Sequence, residues 1–233
     1  MKTKFKNLLQ VMGPGHMLET AYDTAWAARL FEQDYELSNQ ALSWIVEHQL
    51  PDGSWGAAQP FYYHDRVICT LAAMTMLAKR GRRAGDTQQL AAGQAALERI
   101  TAGASGGLLR DPNGSTVGFE MIAPTLVAEA KSLGLIQNHG DWILERLSAM
   151  RAAKLRKLNG KKVNRYMTAA FSAEMAGLDA HDALEIECLQ EGNGSVAHSP
   201  SATAYFAHAV DPGNSKALDY LRRITLPSGG VPN

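Results

Sequence analysis

The chain has 233 residues, of which 45% are hydrophobic and 20% are charged, as is usual for a globular protein with an ample core. Its formal net charge is zero, which argues against nucleic acid or an anionic membrane surface as a partner. No apolar run is long enough to span a bilayer and the basic N-terminus lacks a signal-peptide core, so we expect a cytoplasmic protein. Cys69 and Cys188 lack metal-like spacing and fit reduced core thiols.

Apolar residues recur at three- and four-residue spacing, which predicts helices and gives no support for a sheet. The first predicted helix ends at the Gly-Pro-Gly of residues 13–15, and Asp23 or Thr24 can cap the second. The apolar stripes of these helices are Phe5, Leu8, Leu9 and Met12 in the first, and Trp26, Leu30 and Phe31 in the second. Further helices are predicted at residues 37–48, 65–79 and 86–101.

Residues 102–117 are rich in glycine and contain Pro112 and Asn113, so they predict a loop. The helix predicted at 118–133 contains Pro124, whose missing N–H predicts a kink or an early break. The remaining predicted helices are 141–157, 162–176, 181–190, 199–210 and 215–224. The expected fold is therefore all-α, with antiparallel helical hairpins arranged as an α/α double ring (a barrel or toroid of helices).

The connection at residues 49–56 reads Gln-Leu-Pro-Asp-Gly-Ser-Trp-Gly, and we call it a helix-end clasp. Several of its residues have a specific role in ending one helix and starting the next. Pro51 stops the preceding helix, and Gly53 allows a turn that a residue with a Cβ resists. Gln49 can bond free carbonyls at the helix end, and the indole of Trp55 can cover that end. The pattern recurs in weaker form at residues 190–196, which predicts repeated helical hairpins.

Several further motifs follow one another in a fixed order from about residue 20 to the last residue. They are Thr-Ala-Tyr-Asp-Thr-Ala-Trp (20–26), the clasp at 49–56, Asp65-Arg66, Val-Gly-Phe-Glu (117–120), Ala-Pro-Thr-Leu (123–126), Lys-Leu-Arg-Lys-Leu (154–158), Ser-Pro-Ser-Ala-Thr-Ala-Tyr (199–205) and Gly-Gly-Val-Pro-Asn (229–233). In this order the chain resembles the N-terminal part of bacterial class II diterpene cyclases of the copalyl, kolavenyl and tuberculosinyl diphosphate synthase type.

The resemblance implies a division into domains. In this family a double-ring domain called γ is inserted after the opening helices of a second ring called β. By analogy, residues 1–35 belong to the β domain and residues 36–233 form the γ domain. The apolar stripes within residues 1–12 and 23–33 should then pack against β. In this chain we expect those residues to lie in a contact between copies or to be poorly ordered.

The resemblance also implies a reaction. The intact enzyme would protonate geranylgeranyl diphosphate and cyclise it to a bicyclic diphosphate of the labdane or halimane/clerodane type. The family's acid is an Asp-x-Asp-Asp motif in the β domain, which is absent here; the nearest pattern, at residues 179–182, has the wrong spacing and fits a helix cap. We therefore expect a fragment that is inactive alone and needs its own β domain as partner.

Arg156, Lys157 and Lys154 form the densest basic cluster and are the predicted binding residues for the substrate diphosphate. The alternative is a solvated helix end, where cations favour the helix dipole. The resemblance implies Mg²⁺ beside the diphosphate, but only Asp111 remains of the acidic patch that plant relatives carry there. Glu120 fits a cap or a core ion pair better than a metal ligand. No catalytic residue is predicted in this chain.

Two other functions stay open at this point. One is a fragment of a triterpene cyclase of the squalene–hopene type, which shares a clasp of this kind. The other is a non-catalytic helical binding or scaffold module whose ring cavity holds an apolar ligand.

Overall fold

A computed structural model of the chain describes residues 17–59, 61–80, 83–101, 118–136, 141–158, 160–166 and 173–233, together with the single residues 4, 6 and 11. Regular structure within these residues is helical, and the β-type pairs among them are isolated bridges. The predicted all-α fold is confirmed. None of the helices in these ranges combines the length and the hydropathy that crossing a membrane requires.

The α-helices are α1 (Ala21–Ala27), α2 (Tyr35–Glu47), α3 (Tyr63–Arg80), α4 (Ala84–Thr101), α5 (Phe119–Ser132), α6 (Asp141–Lys157), α7 (Pro200–Tyr205) and α8 (Ser215–Ile224). Short 3₁₀ helices span Ala173–Met175, Leu178–Ala183 and Ile186–Cys188, and a π-helical turn at Phe206–Val210 extends α7. The predicted helices at 37–48, 65–79, 86–101, 118–133, 141–157, 199–210 and 215–224 are thus confirmed to within a few residues at their ends.

Helix α1 lies at the centre of the packing. All seven of its residues are buried, and it contacts α2, α3 and α7. Helix α3 in turn packs against α4 and α5, and α5 packs against α6. Thr20 is the N-cap of α1, and its hydroxyl accepts the Asp23 N–H, so the cap lies a few residues before the position that the sequence predicted.

The residues expected to face a β domain behave in two ways. Trp26 and Leu30 are buried inside this chain, at 5% and 0% exposure, so the expectation of an intermolecular contact or poor order is wrong for them. The reason is that α1 has three helices of this chain packed around it. Phe31 is 40% exposed. Leu8 and Leu9 lie outside the described residues, and the division into two domains stays a prediction.

The helices predicted at 162–176 and 181–190 are wrong where the structure describes those residues. Val163 forms an isolated parallel bridge with Leu184 instead. Its N–H donates to the Ala183 carbonyl (2.7 Å), and its carbonyl accepts from Glu185 (2.9 Å). Backbone bonds to a distant segment take the place of helical ones, although the apolar spacing suits a helix. Of the kink or early break predicted at Pro124, the early break does not occur, because α5 continues through this residue.

The connection between α2 and α3 closes as a small hydrogen-bonded loop at residues 50–55, here called clasp 1. The Leu50 N–H donates to the Ser54 carbonyl (2.9 Å), and the Gly53 N–H donates to the Leu50 carbonyl (2.8 Å). Gly53 has φ +85°, and a Cβ at this position would overlap the carbonyl of Ala92 on α4. Both its conformation and its surroundings therefore require glycine.

Two side chains hold clasp 1 in place. Trp55 covers the end of α2, as the sequence predicted, whereas Gln49 bonds carbonyls of the loop and of α4 and not those at the end of α2. Gln49 Nε2 donates to the carbonyls of Gly53 (2.8 Å) and Gln89 (2.9 Å). Trp55 is fully buried, and its Nε1 donates to the Ile45 carbonyl (2.7 Å) near the end of α2. The clasp therefore satisfies carbonyl groups while it covers them with apolar surface.

The same loop occurs three times in the described ranges, once more than the sequence pattern predicted. Clasp 2 spans residues 191–196, and clasp 3 spans residues 226–231. In each copy a glycine with positive φ takes the same place, and the last residue donates its N–H to a threonine hydroxyl at 2.9–3.0 Å. The glycines are Gly53, Gly194 and Gly229, and the donor–acceptor pairs are Trp55–Thr70, Val196–Thr203 and Val231–Thr24.

Clasp 3 joins the two ends of the fold. The Thr20 N–H donates to the Val231 carbonyl (3.0 Å), and Glu19 pairs with Pro232 in an isolated antiparallel bridge. The Val231 N–H donates to the Thr24 hydroxyl (2.9 Å), so α1 is fixed to the end of the chain. Hydrogen bonds between residues 20–24 and clasp 3 therefore close the helical arrangement formed by residues 17–233 as far as the structure describes them.

Candidate functional site

A cavity of about 930 Å³ lies between α1, α5, α6 and α7, and we call it the inter-helix cavity. Its lining includes Trp26 from α1, Pro124 from α5, Leu155 from α6 and Tyr205 from α7. The edge of the Trp26 ring meets the Tyr205 ring at a centroid distance of 5.8 Å. The cavity thus has aromatic and aliphatic walls contributed by segments far apart in sequence, the usual composition of a small-molecule site.

A charged cluster forms part of the lining. Arg29 is 5% exposed and makes a bidentate pair with Glu129, with both N–O distances 2.8 Å. Arg29 also donates to the Thr75 hydroxyl (3.0 Å), and Lys79 donates to Glu129 (2.5 Å). Burial opposes ionisation of Glu129, but the Arg29 guanidinium and the Lys79 ammonium outweigh it and lower the pKa of this carboxyl. Glu129 is therefore an anion shared by two cations.

A second buried polar cluster ties α1 to α7. Asp23 is 1% exposed and accepts bonds from the Thr20 hydroxyl (2.6 Å) and the Ser201 N–H (3.0 Å). Burial raises the pKa of Asp23, and the bonds from Thr20 and Ser201 offset part of that rise. Glu174 accepts hydroxyl bonds from Tyr22 (3.2 Å) and Ser201 (3.0 Å). These contacts give Tyr22 and Asp23 structural roles in holding α1 against its neighbours.

The residues predicted to bind the diphosphate lie in the last turn of α6, but they differ in their contacts. Lys154 forms an ion pair with Glu120 at the start of α5. Burial opposes ionisation of Glu120, but the bond from Lys154 and the local backbone N–H lower its pKa. Arg156 and Lys157 are exposed on the same turn. Arg156 and Lys157 are therefore accessible to an anion from solution, whereas Lys154 is paired with a carboxylate of the chain itself.

The structure gives no support for a metal centre in the ranges that it describes. No group of three or more His, Cys, Asp or Glu residues there is placed to hold a metal ion. Asp111 lies outside the described residues, so its predicted metal role stays a prediction. The Asp-Ala-His-Asp segment at residues 179–182 lies inside the 3₁₀ helix Leu178–Ala183, whose N-cap is Gly177 and not an Asp of the segment. Asp182 is exposed, which does not suit a carboxyl that must stay protonated by burial.

The clasps, the helical layout and the order of motifs resemble those of one class of protein, the terpene cyclases, and comparisons with known proteins support that class. Among curated proteins, the type B diterpene cyclase of Mycobacterium tuberculosis is 50% identical over 98% of this chain and 46% of its own length. The ent-copalyl diphosphate synthase AN1 of Zea mays is 32% identical over 97% of this chain and 27% of its own length. The chain thus spans under half the length of these relatives.

Solved structures agree with this assignment. The ent-copalyl diphosphate synthase of Arabidopsis thaliana, in complex with a geranylgeranyl thiolodiphosphate analogue, matches all of this chain and 33% of its own at a TM-score of 0.72 and 29% identity. Abietadiene synthase of Abies grandis matches at a TM-score of 0.73 and 27% identity over 99% of this chain and 30% of its own. A comparison with models of known protein families finds no match. These comparisons support a partial class II diterpene cyclase, as the motifs predicted.

Proposed function

We propose that this chain supplies the γ portion of a class II diterpene cyclase. The whole enzyme converts geranylgeranyl diphosphate to a bicyclic diphosphate of the labdane or halimane/clerodane type. The observation that supports this most is the 50% identity to a diterpene cyclase over 98% of the chain. The relatives described above are diterpene cyclases, which favours this function over a triterpene cyclase.

In this reaction an alkene takes up a proton, the rings close, and a carbon of the resulting cation gives a proton back. The diphosphate is retained throughout. An alkene is a poor base, so the acid must be a carboxyl that burial and neighbouring carboxyls keep protonated. We assign that acid to the β domain of the family. We assign to this chain the wall of the active site that binds the diphosphate, at a distance from the acid.

The exposed end of α6 suits the diphosphate-binding role. Arg156 offers a planar fork of N–H donors to phosphate oxygens, and Lys157 adds a second positive charge beside it. Mg²⁺ would screen the same phosphate charges, with Asp111 as its ligand from this chain. Free thiols at Cys69 and Cys188 are in keeping with a cytoplasmic enzyme.

The role of α6 predicts a change in substrate affinity. In a complete cyclase that carries this segment, Arg156→Ala and Lys157→Ala should each raise the KM for geranylgeranyl diphosphate about 10-fold or more, because a charge-assisted hydrogen bond contributes about 1.5–3 kcal/mol. Lys216→Ala on α8 is the matched control, since Lys216 is an exposed cation far along the chain. Steady-state kinetics at low salt measure the effect. Unchanged KM values in both α6 variants would leave these cations as solvated surface charges.

A further inference from the structure

The inter-helix cavity has a charge pattern that the proposed diphosphate wall does not use. Its described lining contains three cations and two carboxylates, which are Arg29, Lys79, Arg151, Glu129 and Glu174. Within the described lining, the formal excess is one positive charge. We propose that this cavity binds a small amphipathic monoanion, a carboxylate or similar head group on a hydrocarbon chain.

Polar atoms at one wall suit the head group. The Nη atoms of Arg29 bond Glu129 and Thr75, but its buried Nε has no hydrogen-bond partner among the residues that the structure describes. His208 Nδ1, also in the lining, is likewise buried without a hydrogen-bond partner within the described ranges. Buried polar atoms of this kind are normally satisfied, so these two point to a missing acceptor or donor in the cavity.

The protonation state of His208 limits the charge that the wall can neutralise. Burial lowers the pKa of His208, and the positive charges of Arg29 and Lys79 lower it further. The imidazole is therefore neutral at pH 7, and it offers a hydrogen bond without adding a charge. One excess cation matches one negative charge on the ligand.

The apolar part of the lining suits a hydrocarbon chain. Trp26, Pro124, Ala128, Leu155 and Tyr205 line it. The Arg29 guanidinium stacks over the Trp26 ring at 4.0 Å, so the cationic and the aromatic surfaces meet. At about 930 Å³ the cavity is at the upper end of the range for small-molecule sites, and far larger than a head group alone requires.

A diphosphate suits this cavity poorly. Its several negative charges would exceed the single excess positive charge and would lie near Glu129 and Glu174. The exposed cations Arg156 and Lys157 are not among the lining residues. The monoanion site is thus separate from the proposed diphosphate wall, and the inference does not depend on cyclase activity.

Isothermal titration calorimetry of the full 233-residue chain tests this inference, with decanoate, decanol and decylammonium as probes of equal chain length. We expect decanoate to bind at least 10-fold more tightly than either of the others. Lys79→Met should weaken decanoate binding about 10-fold while leaving decanol unchanged, because one charge-assisted contact is lost. Lys216→Met, outside the cavity, should change neither.

Variants with a larger side chain in the cavity provide a second test of the same inference. Ala128 and Ala152 are exposed lining residues, so Ala128→Trp and Ala152→Trp should occupy the space without disturbing the core. Either variant, once circular dichroism shows a native helical signal, should lose decanoate binding. Equal affinity for decanoate and decanol would overturn the inference, as would full decanoate affinity in both filled variants.

Discussion

Replacing Trp55 with alanine is expected to lower the free energy of unfolding by about 3–5 kcal/mol, the usual cost of truncating a buried tryptophan. The side chain has no exposed surface, and its Nε1 bonds the Ile45 carbonyl. Its ring also packs against Gly93, where an added Cβ would come within 3.1 Å of the indole. Truncation therefore leaves both a cavity and an unsatisfied carbonyl.

The three clasps offer a matched control for this prediction. Val196 takes the place of Trp55 in clasp 2 and is 1% exposed. Val196→Ala removes fewer atoms at an equivalent loop, so it should cost about 2 kcal/mol. Urea unfolding followed by circular dichroism gives both values. If Trp55→Ala lowers the free energy of unfolding no more than Val196→Ala does, the indole is not the main group that stabilises clasp 1.

The second large effect is expected at the buried charge cluster. Glu129→Leu should lower the free energy of unfolding at pH 7 by about 3–5 kcal/mol, because Arg29 would be left buried without its anion. Asp219→Asn is the control, since Asp219 pairs with Arg222 on the surface. Exposed pairs contribute about 0–1 kcal/mol, so this control should stay close to the unsubstituted protein.

Acidification provides an independent readout of the same cluster. The pKa of Glu129 is lower in the folded protein than in the unfolded chain. Its stabilising contribution is therefore present above the unfolded pKa and is lost as the pH falls through the folded value. The unsubstituted protein should lose stability below about pH 4.5, and Glu129→Gln should lose less over the same range. Parallel pH profiles for the two proteins would contradict this assignment.

Periodicity was sufficient to predict most helices, because each is long enough for its apolar face to repeat. It was insufficient at 162–190, where Val163 pairs with Leu184 across the fold. Clasp 3 was missed although Leu-Pro-Ser-Gly-Gly-Val at residues 226–231 parallels Leu-Pro-Asp-Gly-Ser-Trp at 50–55. Its threonine partner, Thr24, precedes it by about two hundred residues, so no local sequence pattern predicts the contact.

The candidate site was only partly predictable, for a similar reason. The basic residues at the end of α6 are neighbours in sequence, so the sequence alone was sufficient to identify them. The pairing of Lys154 with Glu120 was not, although an antiparallel hairpin of α5 and α6 places the start of one helix beside the end of the other. The inter-helix cavity depends on Arg29 meeting Glu129, 100 residues away, and such a contact appears only once the helices are packed.

The most direct test of the proposed function is a chimera in which residues 1–233 replace the matching segment of the Mycobacterium tuberculosis type B diterpene cyclase. The chimera and this chain alone are each incubated with geranylgeranyl diphosphate and Mg²⁺, and the dephosphorylated products are separated by gas chromatography. We expect a bicyclic alcohol from the chimera and only geranylgeraniol from the chain alone. A bicyclic alcohol from the chain alone, or none from a natively folded chimera, would contradict the account.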